Sequence, residues 1–383
     1  MAVTLSQNEQ DIFNKAKEFS LDYFQSRAAE WEENRVLPAD VLTELRKNGC
    51  FGIGCSAEFG GQGLSWFECA LVYEGMAHGD SGITFFIQLH NTLTKGLETG
   101  YDKLSENVKA LMPDFVKGNK LLAFGLTDDD GGSDPGQTKA YAVKENDGYH
   151  LFGSKSWVSN NLNADYFMVF VHDKTDDRAK GMIMFLVPKD APGFKVKEDI
   201  RRVGGNVMSC GRIEMDDALI GEEFVVDRDG LRRAFDIINI ARVYVSAISV
   251  GVSQRAIDIT AKYLSGRETF GVPVLDNQAV LFELADLSAR TEAARWLARR
   301  AATVMDTGEP LTVITAKAKY FAPETAMYIT TQCAQLFGAV GLETASEITR
   351  CLNAARAFRI VDGSSQVQQI IIGRDIQKGL KTK

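Results

Sequence analysis

AYAVKENDGYHLFGSK (residues 140–155) alternates apolar and polar side chains on either side of Asp147-Gly148. A strand repeats its faces with period two, and Asp-Gly is favoured in a tight hairpin turn because both positions tolerate positive φ. The stretch therefore reads as a β-hairpin. DYFMVFVHD (165–173), GMIMFLVP (181–188) and GRIEMDDALI (211–220) read as further short strands. No helical pattern separates them. This predicts an antiparallel sheet or small barrel over about residues 121–225 and argues against a doubly wound parallel sheet.

Outward from this block the period changes. LSQNEQDIFNKAKEFSLDYF (5–24) puts Ile12, Ala16, Phe19 and Phe24 on roughly one face, with Ser6 placed to cap it. PADVLTELRKNGCFG (38–52) is expected to be helical from Pro38 to a stop at Gly49. SWFECALVYEGMAH (65–78) and the apolar run after Asp80 continue the pattern. On the other side, Leu231, Phe235, Ile238, Ala241 and Val245, then Leu281, Leu284, Leu287, Thr291, Ala294 and Leu297, recur at helical steps. The predicted order is an N-terminal α-helical domain (1–120), a central antiparallel β-barrel domain (121–225) and a C-terminal helical bundle (226–383), an α+β chain.

Composition narrows the function. A net charge of -8 argues against nucleic acid, whose phosphates call for a basic surface. Six cysteines without a CxxC pair point to reduced thiols rather than a disulfide framework or zinc site. The start, MAVTLSQNEQDIF, has no apolar leader, and no stretch approaches about 20 uninterrupted apolar residues, so neither export nor a membrane span is expected. The last residues, KGLKTK, read as a solvated basic tail.

Several short stretches could carry chemistry. GIGCSA (52–57) fits GxGxxA, but no βαβ unit follows, so it reads as a turn. TDDDGGSD (127–134) lacks calcium-loop spacing; Thr127, Gly132 and Ser133 could instead hold an anion or a polar ring edge. SKSWVSNN (154–161) offers Trp157 either as a half-buried core residue or as a platform beside a flat cofactor. Arg267, in SGRETFGVPVLDNQAVLFELAD (265–286), is a surface charge or a phosphate contact. His78, His90, His150 and His172 show no metal-ligand spacing, and no metal is expected. RIVDGSSQVQQIIIGRDI (359–376) sets a lone acid, Asp362, beside a glycine and two serines ahead of a helix-like stretch.

Together these segments resemble the acyl-CoA dehydrogenase flavoproteins. EFGGQGLSWFECALVYEGMA (58–77), FGLTDDDGGSD (124–134), GSKSWVSNN (153–161), GRETFGVPVLDNQAVLFELAD (266–286), QLFGAVGLE (335–343) and VDGSSQVQQIIIGRDI (361–376) are similar to that family's signatures and occur in its order. The resemblance implies a C-terminal four-helix bundle and a homotetramer with non-covalent FAD at a subunit interface. It further implies an acyl-CoA substrate and an electron-transferring flavoprotein as acceptor; the lack of a targeting segment leads us to expect, in a bacterium, a cytoplasmic location. By the same resemblance, Leu126, Thr127, Gly132, Ser133, Trp157 and Ser159 would contact the flavin. Arg267, Phe270, Gln278 and Gln335, Leu336, Phe337, Gly338 and Ala339 would hold the dinucleotide, partly from a neighbouring subunit, with Ser364 and Gln366 completing the site. Ser133, Asn239, Arg242, Val361 and Gly363 would line the acyl channel.

Asp362 falls where most of the family carries its catalytic glutamate, the base that takes the α-proton of the acyl thioester while the β-hydride leaves for flavin N5. Some members place the base before Arg242 instead; that position is Ala241 here. Aspartate is one methylene shorter, which retracts the carboxylate by roughly 1.5 Å. Val361 replaces an aromatic residue, CLNAARAF (351–358) lacks a usual charged pair at Asn353 and Ala354, and Asp128-Asp129 replace Glu-Pro. These departures suggest a branched or cyclic acyl group, the other reading being a neutral Glu-to-Asp change with an ordinary chain substrate. The alternatives are the enoyl-CoA reductase direction, an acyl-carrier-protein thioester, or a catalytically silent flavin-binding relative.

Overall fold

A computed structural model describes residues 4–175 and 181–381. The first helix starts at the Ser6 cap that the sequence predicts. The first, α1 (Gln7–Tyr23), carries a capping box: the Ser6 side chain accepts from the Glu9 main chain, and Glu9 accepts from the Ser6 N–H at 2.6 Å. Next come α2 (Ala28–Asn34), a short helix that the periodicity does not reveal, and α3 (Ala39–Lys47), entered from Pro38. A second capping box, Ser65 with Glu68, opens α4 (Trp66–Met76), and Asp80 caps α5 (Ser81–Glu98). The last of this set is α6 (Glu106–Val116). GIGCSA is a turn, as expected, and its Gly52 N–H donates to Asn91 Oδ1 at 2.7 Å, not to a phosphate.

The central strands are β1 (Leu122–Gly125), β2 (Tyr141–Glu145), β3 (Gly148–Ser159), β4 (Tyr166–Asp173), β5 (Met182–Pro188), β6 (Phe194–Asp199), β7 (Cys210–Ile220) and β8 (Val225–Asp227). The expected hairpin is β2–β3, paired antiparallel from Tyr141 opposite Phe152 to Glu145 opposite Gly148. Two corrections apply. The sheet is mixed rather than purely antiparallel, because β4 pairs in parallel with both β1 and β2. Its path runs β6-β7-β3-β2-β4-β5-β8, and among the described residues no pairing joins the ends into a closed barrel. The apolar runs of β4 and β5 reflect burial on both faces. Phe167, Val169 and Val171 point into one core, while Met168 and Phe170 join Leu93, Leu97 and Ile237 in a second core against the helices.

The C-terminal half is α7 (Gly230–Gly266), a small hairpin β9 (Glu268–Thr269) and β10 (Val272–Pro273), α8 (Gln278–Thr307), α9 (Thr312–Phe337), α10 (Glu347–Phe358) and α11 (Ser365–Lys381). KGLKTK continues α11 as far as Lys381 with residues 378–380 exposed to solvent; residues 382–383 lie outside the described residues. By length and composition α7 could cross a membrane, but 83% of its most apolar window is buried inside the protein. It is the helix on which both halves pack, touching α4, α5, α8, α9 and α10 on one side and β4 and β5 on the other. At Gly251 a Cβ would lie 2.3 Å from the Glu74 carbonyl, so only glycine lets α4 and α7 approach this closely. Glu74, buried in that contact, accepts from Arg295 at 2.8 Å and Arg299 at 3.4 Å, tying α4 to α8. Phe235 and Leu281, expected on buried faces, are exposed. The cysteines are free and buried.

Candidate active site

Asp362 sits in the turn between α10 and α11 with φ 55, followed by Gly363 with φ 95. Two consecutive left-handed residues reverse the chain sharply; an aspartate tolerates the first, and the second suits glycine. The turn is held by its main chain. Arg242 Nε donates to the Asp362 carbonyl at 3.1 Å, while Lys319 Nζ and Gln368 Nε2 each donate to the Gly363 carbonyl at 2.8 Å. Below it, Glu324 accepts from Arg359 at 2.7 Å and from Ser365 Oγ at 2.5 Å. The carboxylate is left free: Asp362 Oδ2 is buried with no hydrogen-bond partner. The Asp362 main-chain N–H also donates to no atom of the described residues.

The electrostatics follow from burial. Desolvation pushes the Asp362 carboxyl above its ordinary value, and the positive charges of Lys319 and Arg242 pull only partly the other way. Burial lowers the fully buried Lys319 ammonium to about 7, against the favourable charge of Asp362. The Arg242 guanidinium is lowered by the same cause. A carboxylate kept dry, near positive charge but not neutralised by direct contact, is suited to accepting a proton from carbon.

Asp362 lines a small cavity with Phe85, Gln88, Leu89, Thr92 and Leu93 of α5, Phe124 of β1, and Ile237, Ile238 and Ala241 of α7. Its volume is about 20 Å³, room for roughly one water molecule, so a larger group reaches it only by displacing wall side chains. Ala241 thus faces the same cavity as Asp362, and among the described residues Asp362 is the one carboxylate on its wall. Asn239 Oδ1 accepts from Arg242 Nη1 at 3.0 Å and Thr315 Oγ1 at 3.3 Å, and Asn239 lines a neighbouring larger cleft with Trp66, Thr99, Arg232 and Arg233. Val361 does not line the acid's cavity; its side chain packs on the helical core, so its small size widens no wall there.

The loop after β1 and the end of β3 form a second group. Lys155, fully buried, donates to the Leu126 carbonyl at 3.1 Å, Asp128 at 2.6 Å and Thr138 Oγ1 at 2.7 Å. Asp129 accepts from Ser154 at 2.8 Å and from Ser156 and Arg212. The two unusual acids are therefore spent on holding the loop. A register shift in β3 between Lys155 and Val158 turns Trp157 outward with φ 57 and 58% exposure. Of its two expected placements, a half-buried core position is not the one it takes. Thr127 is half-buried beside it in chain pairing, since the Ser156 N–H donates to the Thr127 carbonyl at 2.8 Å. Gly132 and Ser133 lie exposed on the loop, and Ser159 Oγ points toward Cys210 Sγ at 3.9 Å. An exposed indole face flanked by hydroxyls and an open glycine loop fits a flat, polar-edged ring such as a flavin.

Most of the remaining residues lie around the C-terminal ends of α7 and α9, whereas Ser364 and Gln366 sit beside the Asp362 turn at the start of α11. Arg267 follows α7 and donates to the Tyr263 hydroxyl at 3.3 Å; Tyr263 stacks on Phe337 at 4.4 Å. Gln335 and Leu336 precede Phe337 on α9, with Gly338 and Ala339 in the turn after it. Phe270 is fully exposed in the β9–β10 turn, and Gln278 begins α8. Ser364 accepts from the Val367 N–H at 3.4 Å at the start of α11, and Gln366 is exposed. Among the described residues no hydrogen bond or ion pair joins the Arg267–Phe337 group to the Trp157 group. Sequence reasoning did not find Lys319, Gln368 or Gln88; the only available signal was a polar residue on an otherwise apolar helical face.

Residues 6–107, 123–218 and 228–377 match the N-terminal, middle and C-terminal domains of acyl-CoA dehydrogenase, respectively. The chain is 29% identical over 380 residues to the mitochondrial isobutyryl-CoA dehydrogenase of Dictyostelium discoideum, covering 98% of this chain and 91% of that protein. It superposes on butyryl-CoA dehydrogenase from Megasphaera elsdenii with TM-score 0.92 at 27% identity, covering 98% of this chain and 100% of the other. It matches PigA with FAD and proline with TM-score 0.91 at 25% identity, covering 98% and 99%.

Proposed function

We propose, from the premise that this chain belongs to the acyl-CoA dehydrogenase family, whose members are FAD oxidoreductases, that Asp362 is the base of its α,β-dehydrogenation. Bound FAD supplies the two-electron acceptor for the β-hydride. The α-proton goes to Asp362, a carbon–carbon double bond forms between Cα and Cβ, and the thioester is otherwise unchanged. The single observation carrying this assignment is the unpartnered, buried Oδ2 of Asp362 on the wall of the small cavity.

Each neighbour has a part. Arg242, Lys319 and Gln368 fix the turn through its carbonyls and leave the carboxylate free to react. The free Asp362 N–H is available to the thioester oxygen as negative charge develops there. The mostly apolar walls keep bulk water from the acid, and on this reading they part for a short acyl group, branched or cyclic, that comes close enough for the shorter base. Leu126, Thr127, Gly132, Ser133, Trp157 and Ser159 hold the flavin ring. Arg267, Phe270, Gln278, the 335–339 turn, Ser364 and Gln366 hold the dinucleotide. A second copy supplies the latter, in a homotetramer; among the described residues no hydrogen bond or ion pair joins the two groups. Asn239 and Gly363, with Ser133, line the channel to the thioester. Reducing equivalents leave to an electron-transferring flavoprotein.

The test is anaerobic titration of the purified flavoprotein with straight, branched and cyclic acyl-CoAs, following loss of the flavin's visible absorbance. Bleaching by one class, lost in Asp362→Asn, is expected. Bleaching by none, with FAD bound, contradicts the proposal.

A further inference from the structure

The cavity beneath Asp362 is apolar except at one place. Gln88 and Thr92 lie one turn apart on α5, and both line it. Gln88 is 1% exposed. Its Nε2 donates to Thr92 Oγ1 at 2.7 Å, and its Oε1 is buried with no partner. Buried amide groups are nearly always paired, because an unpaired one loses its hydration without replacement. The other walls offer nothing to pair with it. Phe85, Leu89, Leu93, Phe124, Ile237 and Ile238 have no polar side-chain atom, and ionised Asp362 is itself an acceptor. A pocket built for an alkyl chain alone has no use for an amide at this point.

We infer that the acyl group taken by this chain carries a hydrogen-bond donor of its own, most simply a hydroxyl, which pairs with the Gln88 amide inside the cavity. The inference rests on the reading of that cavity as the acyl site. A hydroxyl suits the amide because it both donates and accepts, so it also pairs through the amide's other end. Such a bond fixes the rotation of the acyl chain and sets which carbon faces Asp362. That orientation matters for a carboxylate with a short reach, since a misplacement of about 1 Å can lower a rate about 10²-fold. The specificity would also be asymmetric: a site built to hydrogen-bond a hydroxyl rejects the analogue lacking it, because its polar group is then left unpaired.

Pentanoyl-CoA and 4-hydroxybutyryl-CoA have the same chain length and differ by a methyl for a hydroxyl. On dithionite-reduced enzyme neither can be oxidised, so calorimetry reads binding alone. Wild type is expected to bind the hydroxylated thioester about 10-fold more tightly, roughly 1.4 kcal/mol, and Gln88→Leu is expected to abolish or reverse the preference. Equal affinity or a preference for pentanoyl-CoA in wild type overturns the inference without recourse to any variant, as does a preference that Gln88→Leu leaves unchanged. Bleaching of the oxidised enzyme separates the two levels. Pentanoyl-CoA that bleaches the flavin with no hydroxyl preference removes this inference and leaves the dehydrogenation standing. Failure of both thioesters to bind removes this inference, and the dehydrogenation is then decided by the branched and cyclic thioesters of the titration above.

Discussion

Arg242 Nε donates to the main-chain carbonyl of Asp362 at 3.1 Å, not to its carboxylate. Among the described residues no ion pair within bonding distance reaches that carboxylate. The guanidinium therefore holds the turn in place and contributes charge from a distance. Its Nη1 meanwhile bonds Asn239 at 3.0 Å, so one planar group sets two positions. A lysine has a point charge and no fork. Arg242→Lys should slow flavin reduction by up to about 10²-fold, through misplacement of the base, while circular dichroism and flavin content stay as in wild type. Stopped-flow reduction under anaerobic conditions checks it.

The pH dependence follows from the same arrangement. Burial disfavours the charged form of Asp362, so the acid stays protonated to a higher pH than an ordinary carboxyl. The base works only when ionised, so the rate of flavin reduction should fall as pH drops through that raised value, with a midpoint above the ordinary carboxyl value of about 3.9. Lys319 pulls the Asp362 value down by its charge. Lys319→Met should therefore move the acid limb to still higher pH. A limb that stays in place in this variant would show that the two groups are not coupled.

Gly363 combines φ 95 with crowding: a Cβ there would lie 2.8 Å from Gln368 Nε2 and 3.3 Å from Arg242 Nη2. Gly363→Ala should destabilise the protein by about 1–3 kcal/mol and displace the groups that fix the turn. Thermal melting and the reduction rate should fall together; a wild-type rate in a correctly folded variant would argue against the tight positioning described above.

Lys155 and Asp128 make a buried pair at 2.6 Å. Burial works to raise the Asp128 carboxyl, but hydrogen bonds from Lys155 and Thr138 outweigh it and hold the carboxyl below its usual range. Its stabilising contribution is thus present above the unfolded value of about 3.9 and is lost as pH falls through the lower, folded value. Asp128→Ala leaves the Lys155 ammonium buried without its countercharge and should cost about 3–5 kcal/mol, read by denaturant unfolding at neutral pH. Because Lys155 also bonds the Leu126 carbonyl at 3.1 Å, flavin retention should weaken in parallel.

Much of this was legible in the chain. Alternation around Asp147-Gly148 marks the hairpin, and Ser6 marks the first helix start because capping is local chemistry; the Ser65 and Asp80 caps are of the same local kind but were not read from the sequence. What failed was non-local. The parallel partners of β4 depend on which strands meet in space, and a period-two pattern does not specify that. Phe235 matches the helical step of buried neighbours yet is exposed, since α7 is covered unevenly along its length. At the site, Asp362 stood out as a lone acid beside glycine. Lys319, Gln368 and Gln88 did not, because their importance comes from the groups that burial brings to them. Asp128 and Asp129 looked like a departure bearing on the reaction, and the structure shows them anchoring Lys155, Ser154 and Arg212.

The central claim is that Asp362 takes the α-proton, and isotope exchange reads this step apart from oxidation. The dithionite-reduced flavoprotein would be incubated in D₂O with a saturated acyl-CoA that bleaches the oxidised enzyme, and deuterium at the α-carbon followed by mass spectrometry. Wild type should incorporate deuterium, and Asp362→Asn should bind the thioester yet exchange about 10²–10⁴-fold more slowly. Exchange by Asp362→Asn at the wild-type rate would show that another group removes the proton.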